Sequence, residues 1–314
     1  MRPRVVFFGT PAFAVPPLAA LTRLADVVGV VCQPDKPAGR GNVVAAPPVK
    51  RYALEHGLPC IQPAKLRDGV VARWLRELAP DVAVVVAYGR ILPPDVLAAP
   101  RLGCLNVHAS VLPRHRGAAP IQWSILEGDA ETGVTLMKMD EGLDTGPMLS
   151  IRRTPIDPDE TAPSLSDRLC ALGVALLDEE LDHYLKGMLT PIPQDHARHT
   201  LAPLLTKEMA AMDWKRSARA LHDQVRGLVP WPGTSTTLGA RRLMVHATRL
   251  DAPPTVLAGA PGEVVAVEKE RVWVATGEGL LALTELQLEG KKRLAVREFL
   301  AGHPLQSGTM LGQA

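Results

Sequence analysis

Within GCLNVHASVLPRHRGAAP, residues 103–120, three polar side chains recur at every second position: Asn106, His108 and Ser110. Side chains two apart on a β-strand share a face. These three are therefore expected to point the same way, at the end of a short apolar strand carrying Leu105 and Val107. Leu112-Pro113 and Arg116-Gly117 are turn chemistry and stop the strand. Ligands bind at the carboxyl ends of strands in open α/β sheets. An Asn amide and a His imidazole side by side both donate hydrogen bonds to an oxygen that gains negative charge. Asp144, in EGLDTGP, adds a carboxylate that either holds the imidazole protonated or takes a proton from a nucleophile. Taken alone, an Asn-x-His at a strand end is more often structural than catalytic.

The elements that must position these residues follow from the apolar pattern. RVVFF, residues 4–8, reads as a buried strand, Gly9-Thr10-Pro11 as a tight turn, and a helix begins near Pro16. Residues 26–31 form a second strand. Residues 67–79 form an amphipathic helix with Val71, Trp74, Leu75 and Leu78 on one face. VAVVVAYGR is an unbroken apolar run, the signature of a central parallel strand covered on both faces. A helix over about 119–127, a strand GVTLMKMD leading into EGLDTGP, a return strand MLSIRRTPI and a long helix over 164–186 complete the series. Strands alternating with helices predict an α/β fold with an open, mostly parallel, Rossmann-like sheet. The glycine fingerprint GxGxxG is absent, which disfavours a dinucleotide enzyme.

Two stretches break this grammar. CQPDKPAGRGNVVAAPPVK has no usable periodicity between the second strand and a helix starting near Pro47. Connections of that length are usually functional or disordered. Residues 190–205 hold three prolines and little periodicity, and are expected to be an interdomain linker between a domain over 1–189 and another over 206–314. In the second, one helix (MDWKRSARALHDQVRGL) precedes short β-type runs at roughly ten-residue spacing, predicting a small OB-like barrel or a sandwich.

Composition narrows the classes. The 314 residues are 46% hydrophobic and 22% charged with mean hydropathy +0.06, as in soluble globular proteins. No apolar run reaches the roughly 18 residues of a membrane span, so no membrane partner is expected. The N-terminal apolar run is short and broken by Gly9-Thr10-Pro11, which favours a first strand over a signal peptide. Cys32, Cys60, Cys104 and Cys170 lack CxxC spacing and sit in apolar contexts, as reduced thiols of a cytoplasmic protein would. There is no HExxH and no GxxxxGK[ST], and no metal site is expected. From Lys207 onward 14 Lys and Arg face 11 Asp and Glu, a net of +3 within a total of +2, so the rest carries −1. That bias is compatible with a polyanionic partner of the C-terminal part.

NVHASVLPRHRGAAPIQW followed by MDEGLDTGP resembles the folate-dependent formyltransferases, and FFGTPAFA, QPDKPAGRG, WPG and KKRLAVREFLAGH extend the resemblance over nearly the whole chain. The resemblance implies that Asn106, His108 and Asp144 are catalytic. It implies folate contacts from Ser110-Val111-Leu112-Pro113 and from the Tyr88-Gly89 turn. It implies 10-formyltetrahydrofolate as formyl donor, no metal, and the α-amine of initiator methionyl-tRNA as acceptor. The loop after the second strand would then enter the tRNA acceptor arm, with Lys36, Arg40 and Lys50 as its charges. A cytoplasmic monomer is expected. The alternatives are transfer to another amine and hydrolysis of the formyl group, which the same three side chains would serve.

Overall fold

The computed structural model describes residues 2–38, 43–251 and 258–313. The chain divides into two compact units, and they are not consecutive halves. One comprises Met1–Pro120, Glu131–Thr154 and Ser166–Pro203; the other comprises Ile121–Ala130, Pro155–Leu165 and Leu204–Ala314.

The first unit starts with β1 (Arg4–Gly9), a short 3-10 turn, α1 (Val15–Leu24) and β2 (Asp26–Val31). Prolines 16 and 17 sit in the first turn of α1, where a missing N–H costs nothing. Next come β3 (Lys36–Ala38) and β4 (Val43–Ala45), which pair antiparallel, Lys36 opposite Ala45. The stretch without usable periodicity therefore contains a ladder. Three-residue strands are too short for alternation to show in sequence. After them run α2 (Pro48–Glu55), β5 (Cys60–Ile61), α3 (Val70–Leu78), β6 (Val82–Val86), α4 (Pro94–Leu97) and β7 (Cys104–His108). β8 (Arg116–Gly117), β9 (Glu131–Lys138), β10 (Met148–Pro155), α6 (Ala162–Leu185) and β11 (Leu201–Ala202) follow, while α5 (Pro120–Leu126), between β8 and β9, belongs to the second unit from Ile121 on, as does the start of α6 up to Leu165.

The main sheet has the order β10-β9-β7-β6-β1-β2-β5. β5, β2, β1, β6 and β7 are mutually parallel, and β9 runs antiparallel to β7. The chain builds outward from β1 to β5, then crosses back to place β6 on β1's other side. That reversal beside β1 creates a crevice at the carboxyl ends of the strands. Every residue of β6 is buried, as its continuous apolar run requires. On one face Val6, Phe8, Val85 and Cys104 pack under Val71 and Leu75 of α3. Phe8 and Tyr88 meet edge to face with centroids 5.3 Å apart. Truncating a fully buried leucine such as Leu75 would cost about 2–5 kcal/mol.

In the second unit, α7 (Ala218–Gly227) is shorter than its sequence pattern, because the Ser217 hydroxyl accepts from Ala220 N–H and caps the helix there. Then come β12 (Thr234–Leu238), β13 (Arg241–Arg249), β14 (Val264–Val267), β15 (Val272–Ala275), β16 (Leu280–Leu288), β17 (Leu294–Ala295) and α8 (Val296–Gly302). These strands form one antiparallel sheet in the order β12-β13-β16-β15-β14, with β17 added to β16. The ladder is open, but residues near the C-terminus reach both of its ends: Leu311 bridges Leu238, and Met310 bridges Glu263. Its core gathers Leu243, Val264, Val274, Leu283, Leu286 and Phe299.

Candidate active site

β7 delivers Asn106 and His108 onto one face, and both are nearly buried, at 8% and 6% exposure. Cys104 shares that face, deeper in the strand. Its thiol is covered, points to Leu97 O at 3.8 Å, and burial pushes it up to about 12. Asp144 reaches the pair from the loop after β9. Lys138, the last residue of β9, lies opposite Leu105, so this loop leaves near the amino end of β7 and must double back across the sheet face. Asp144 itself takes a left-handed backbone, φ +52°, which an L-residue adopts at a cost of about 1–3 kcal/mol.

The Asp144 carboxylate is the hub of the cluster. Its Oδ1 accepts from Asn106 Nδ2 at 3.2 Å, its Oδ2 accepts from Gly117 N–H at 2.8 Å, and Oδ2 lies 3.6 Å from His108 Nδ1. His108 Nε2 donates to His115 O at 2.9 Å. Both ring nitrogens therefore face oxygens that can accept hydrogen bonds. Asn106 has a second amide hydrogen to offer a reacting oxygen. The cluster thus brings an amide donor into hydrogen-bonding distance of a carboxylate, with an imidazole 3.6 Å from the same carboxylate.

The turn beyond β7 is fixed from within and from a distant segment. Ser110 Oγ donates to Arg114 O at 2.7 Å, and Thr135 Oγ1 donates to Ser110 O at 2.7 Å. Leu112 N–H donates to the same Thr135 hydroxyl at 3.2 Å. His115 N–H donates to Thr200 Oγ1 and Arg116 N–H to Thr200 O, each at 2.9 Å. β8 then pairs in parallel with β11. Gly117 sits at φ +128°, and a Cβ there would lie 2.6 Å from Ala202 O, so only glycine fits this crossing. Ile192 and Met148 exchange backbone hydrogen bonds at 2.8 Å in each direction. Gln194 Nε2 donates to Asp144 O and Gly146 O at 2.8 and 2.7 Å. Residues 192–202, part of the stretch expected as linker, are thus a strap laid along the loops that carry Asp144 and Gly117 in the first unit. Isolated bridges and side-chain clamps leave no periodic trace, so the sequence does not mark the strap, Gln194 or Thr200.

The other expected residues divide. Tyr88 is buried at 1% exposure, with its phenol pushed up to about 12 by burial. Its carbonyl accepts from Thr10 Oγ1 at 3.1 Å and Gln33 Nε2 at 2.8 Å. Ser110 and Leu112 are likewise covered, whereas Gly89 is exposed and Val111 and Pro113 are half-buried. Thr10, Gln33, Lys36, Pro47, Tyr88 and Gly89 line a cleft of about 360 Å³ at the carboxyl ends of β1 and β6. Lys36 Nζ donates to Gln33 Oε1 at 2.8 Å, and Lys50 forks onto both oxygens of Asp35 at 2.9 and 2.8 Å. Lys50 holds the Asp35 carboxyl below its usual range, a second contribution coming from Gln62. Arg40 lies outside the described residues. Among the described residues no group of three or more His, Cys, Asp or Glu is placed to hold a metal ion, and no helix is long and apolar enough to cross a membrane.

Residues 3–181 match the formyl transferase family, and residues 204–304 match the formyl transferase C-terminal domain. The chain is 51% identical over 310 residues to the methionyl-tRNA formyltransferase of Sorangium cellulosum, covering 99% of this chain and 100% of the relative. It is 53% identical over 308 residues to that of Myxococcus xanthus, covering 98% and 97%. Among solved structures the fold is similar to WlaRD, a sugar 3N-formyl transferase, at TM-score 0.66 and 16% identity, covering 93% of this chain and 100% of that one. It is also similar to HypX of Aquifex aeolicus in complex with tetrahydrofolic acid, at TM-score 0.61 and 18% identity, covering 100% of this chain and 51% of that one.

Proposed function

The chain belongs to the formyl transferase family, and on that premise we propose that it moves the formyl group of 10-formyltetrahydrofolate to the α-amine of initiator methionyl-tRNA, giving N-formylmethionyl-tRNA. Relatives of that name match it end to end at about half identity. The observation that carries the chemistry is the meeting of Asn106, His108 and Asp144 around one carboxylate, from segments 38 residues apart.

The amine nitrogen attacks the formyl carbon, a C–N bond forms, and the carbonyl oxygen becomes an oxyanion. The second amide hydrogen of Asn106 donates to that oxygen. One such donor in a covered site is worth about 3–4 kcal/mol. His108 Nδ1, held at 3.6 Å from Asp144 rather than in a tight bond, is the ring nitrogen available to the same oxygen. Asp144 accepts the proton shed by the amine, directly or through a water. As the tetrahedral centre collapses, the bond to N10 breaks and that nitrogen takes up a proton.

The folate sits, in this reading, against Val111, Pro113 and Gly89, which offer surface, with Tyr88, Ser110 and Leu112 shaping the wall from beneath. The tRNA contacts fall to Lys36, Arg40 and Lys50 and to the positively biased C-terminal unit. Lys50 already pairs with Asp35, which leaves Arg40 as the stronger candidate of the three. The protein acts as a cytoplasmic monomer, a location supported by four unpaired thiols and by a translational substrate. The test is direct: incubate the protein with 10-formyltetrahydrofolate and charged initiator methionyl-tRNA, hydrolyse the ester and assay formylmethionine. Formate without formylmethionine would identify a hydrolase, and formylation of a small amine but not of the tRNA would move the acceptor elsewhere.

A further inference from the structure

Asp144 needs outside help, because its backbone is left-handed and its loop doubles back over the sheet. Gln194 supplies that help with its whole side-chain amide. Both hydrogens of Nε2 are placed, one on Asp144 O at 2.8 Å and one on Gly146 O at 2.7 Å. Oε1 accepts twice from one guanidinium, from Arg116 Nε at 3.0 Å and Nη2 at 2.7 Å. An amide has two donors and two acceptor lone pairs, so its capacity is filled. Gln194 and Arg116 are buried at 5% and 4% exposure, where unmatched polar atoms would be costly. The guanidinium is steadied in turn at 3.3 Å by His196 Nδ1, which accepts and is therefore the unprotonated ring nitrogen.

These bonds close a ring. Arg116 is followed by Gly117, whose N–H donates to the Asp144 carboxylate. From that carboxylate the path runs through Gly117 to Arg116, through its side chain to Gln194, and back to the Asp144 carbonyl. The carboxylate and the backbone that carries it are thus tied to the same two-residue strand by separate routes. We propose that Gln194 is a positioning residue for the transfer: it sets where the Asp144 carboxylate stands relative to Asn106 and His108, and touches neither substrate. This rests on the catalytic reading of Asp144 given above.

Two variants test it. Gln194→Met removes both donors and the acceptor at similar length. Gln194→Glu keeps the Arg116 contact, now as an ion pair, but presents acceptors to two carbonyls. In each, kcat should fall about 30–100-fold, as for a shift of about 1 Å at a reacting group. KM for both substrates should stay within about threefold, as should binding of a folate analogue measured by its Tm shift. The decisive measurement is the same substitution in an Asp144→Asn background, where a residue acting only through Asp144 adds less than about threefold. The proposal is overturned if kcat of a folded variant stays within threefold of wild type, or if KM rises with kcat unchanged. It is also overturned if the loss is as large without the Asp144 carboxylate, or if both variants fail to fold, which would make Gln194 structural. Absence of formylmethionyl-tRNA with the unaltered protein would instead sink the activity itself.

Discussion

Asp144→Asn preserves shape and removes charge, and the geometry says what that costs. The carboxylate accepts on both oxygens, from Asn106 Nδ2 and from Gly117 N–H. An amide has one acceptor oxygen, so in either orientation one of those donors meets an NH₂ group instead. The second loss is chemical: an amide cannot take the proton that the amine sheds in the proposed transfer, and general-base help of that kind is worth roughly 10²–10⁴-fold. The His108 and Asp144 side chains are nearly covered, at 6% and 13% exposure, which limits bulk water as a substitute base. We expect kcat to fall roughly 10²–10³-fold, with KM for both substrates within about threefold. Initial rates at saturating folate and tRNA give kcat, and circular dichroism with a Tm confirms the fold. A folded Asp144→Asn protein that keeps kcat within tenfold of wild type would refute the role assigned to the carboxylate.

Tyr88→Phe removes a buried hydroxyl with no hydrogen-bond partner among the described residues. Stability should hold or rise by up to about 1 kcal/mol, and folate affinity should stay within twofold; a large affinity loss would put the phenol in the pocket. Gly117→Ala should destabilise by about 2–3 kcal/mol and depress kcat, since the Ala202 carbonyl bars a Cβ and the adjoining N–H serves Asp144; an unchanged Tm would show that β8 and β11 part freely. In the second unit, His222 Nε2 donates to Pro158 O at 3.0 Å and Nδ1 accepts from Thr248 at 2.8 Å. Burial lowers its affinity for protons and outweighs Asp159, whose side chain is 53% exposed. A depressed folded-state value makes the stabilisation complete above about pH 6.5, the unfolded value, and lost progressively below it. The Tm gap between wild type and His222→Gln should therefore be widest at pH 8 and narrow toward pH 5, and a pH-independent gap would contradict it. Arg40→Leu should lose most of kcat/KM for methionyl-tRNA while folate affinity stays within about twofold; normal formylation would make the 33–49 segment a passive connection.

The sheet was legible wherever a strand is covered on both faces. VVFF and VAVVV are apolar throughout, and β1 and β6 fall on them. The alternation of Asn106 and His108 was legible for the same reason, since a strand has only two faces. What escaped is what a pattern cannot carry. β3 and β4 are three residues each, below the length at which periodicity means anything. Gln194 and Thr200 act through single side chains in a proline-rich stretch whose local preferences say only that it is neither helix nor strand. The route of Asp144 to β7 was hidden too, because it depends on β9 running antiparallel to β7, and spacing along a chain does not encode the direction of its neighbour.

The two compact units exchange the chain five times along its length. No single break in the gene yields one complete unit and one remainder. A fragment ending at residue 189 keeps Asp144 and β8 but loses Gln194, Thr200 and β11, the chain that holds them. It also keeps Ile121–Ala130 and Pro155–Leu165, which belong to the body it has discarded. The same interleaving constrains recombination between relatives. A chimera joined at one point near residue 190 would draw the Asp144 loop from one parent and its Gln194 clamp from the other. A faithful exchange of the C-terminal body must transplant three stretches together, so inheritance of this enzyme's parts follows spatial bodies and not the linear order of the gene.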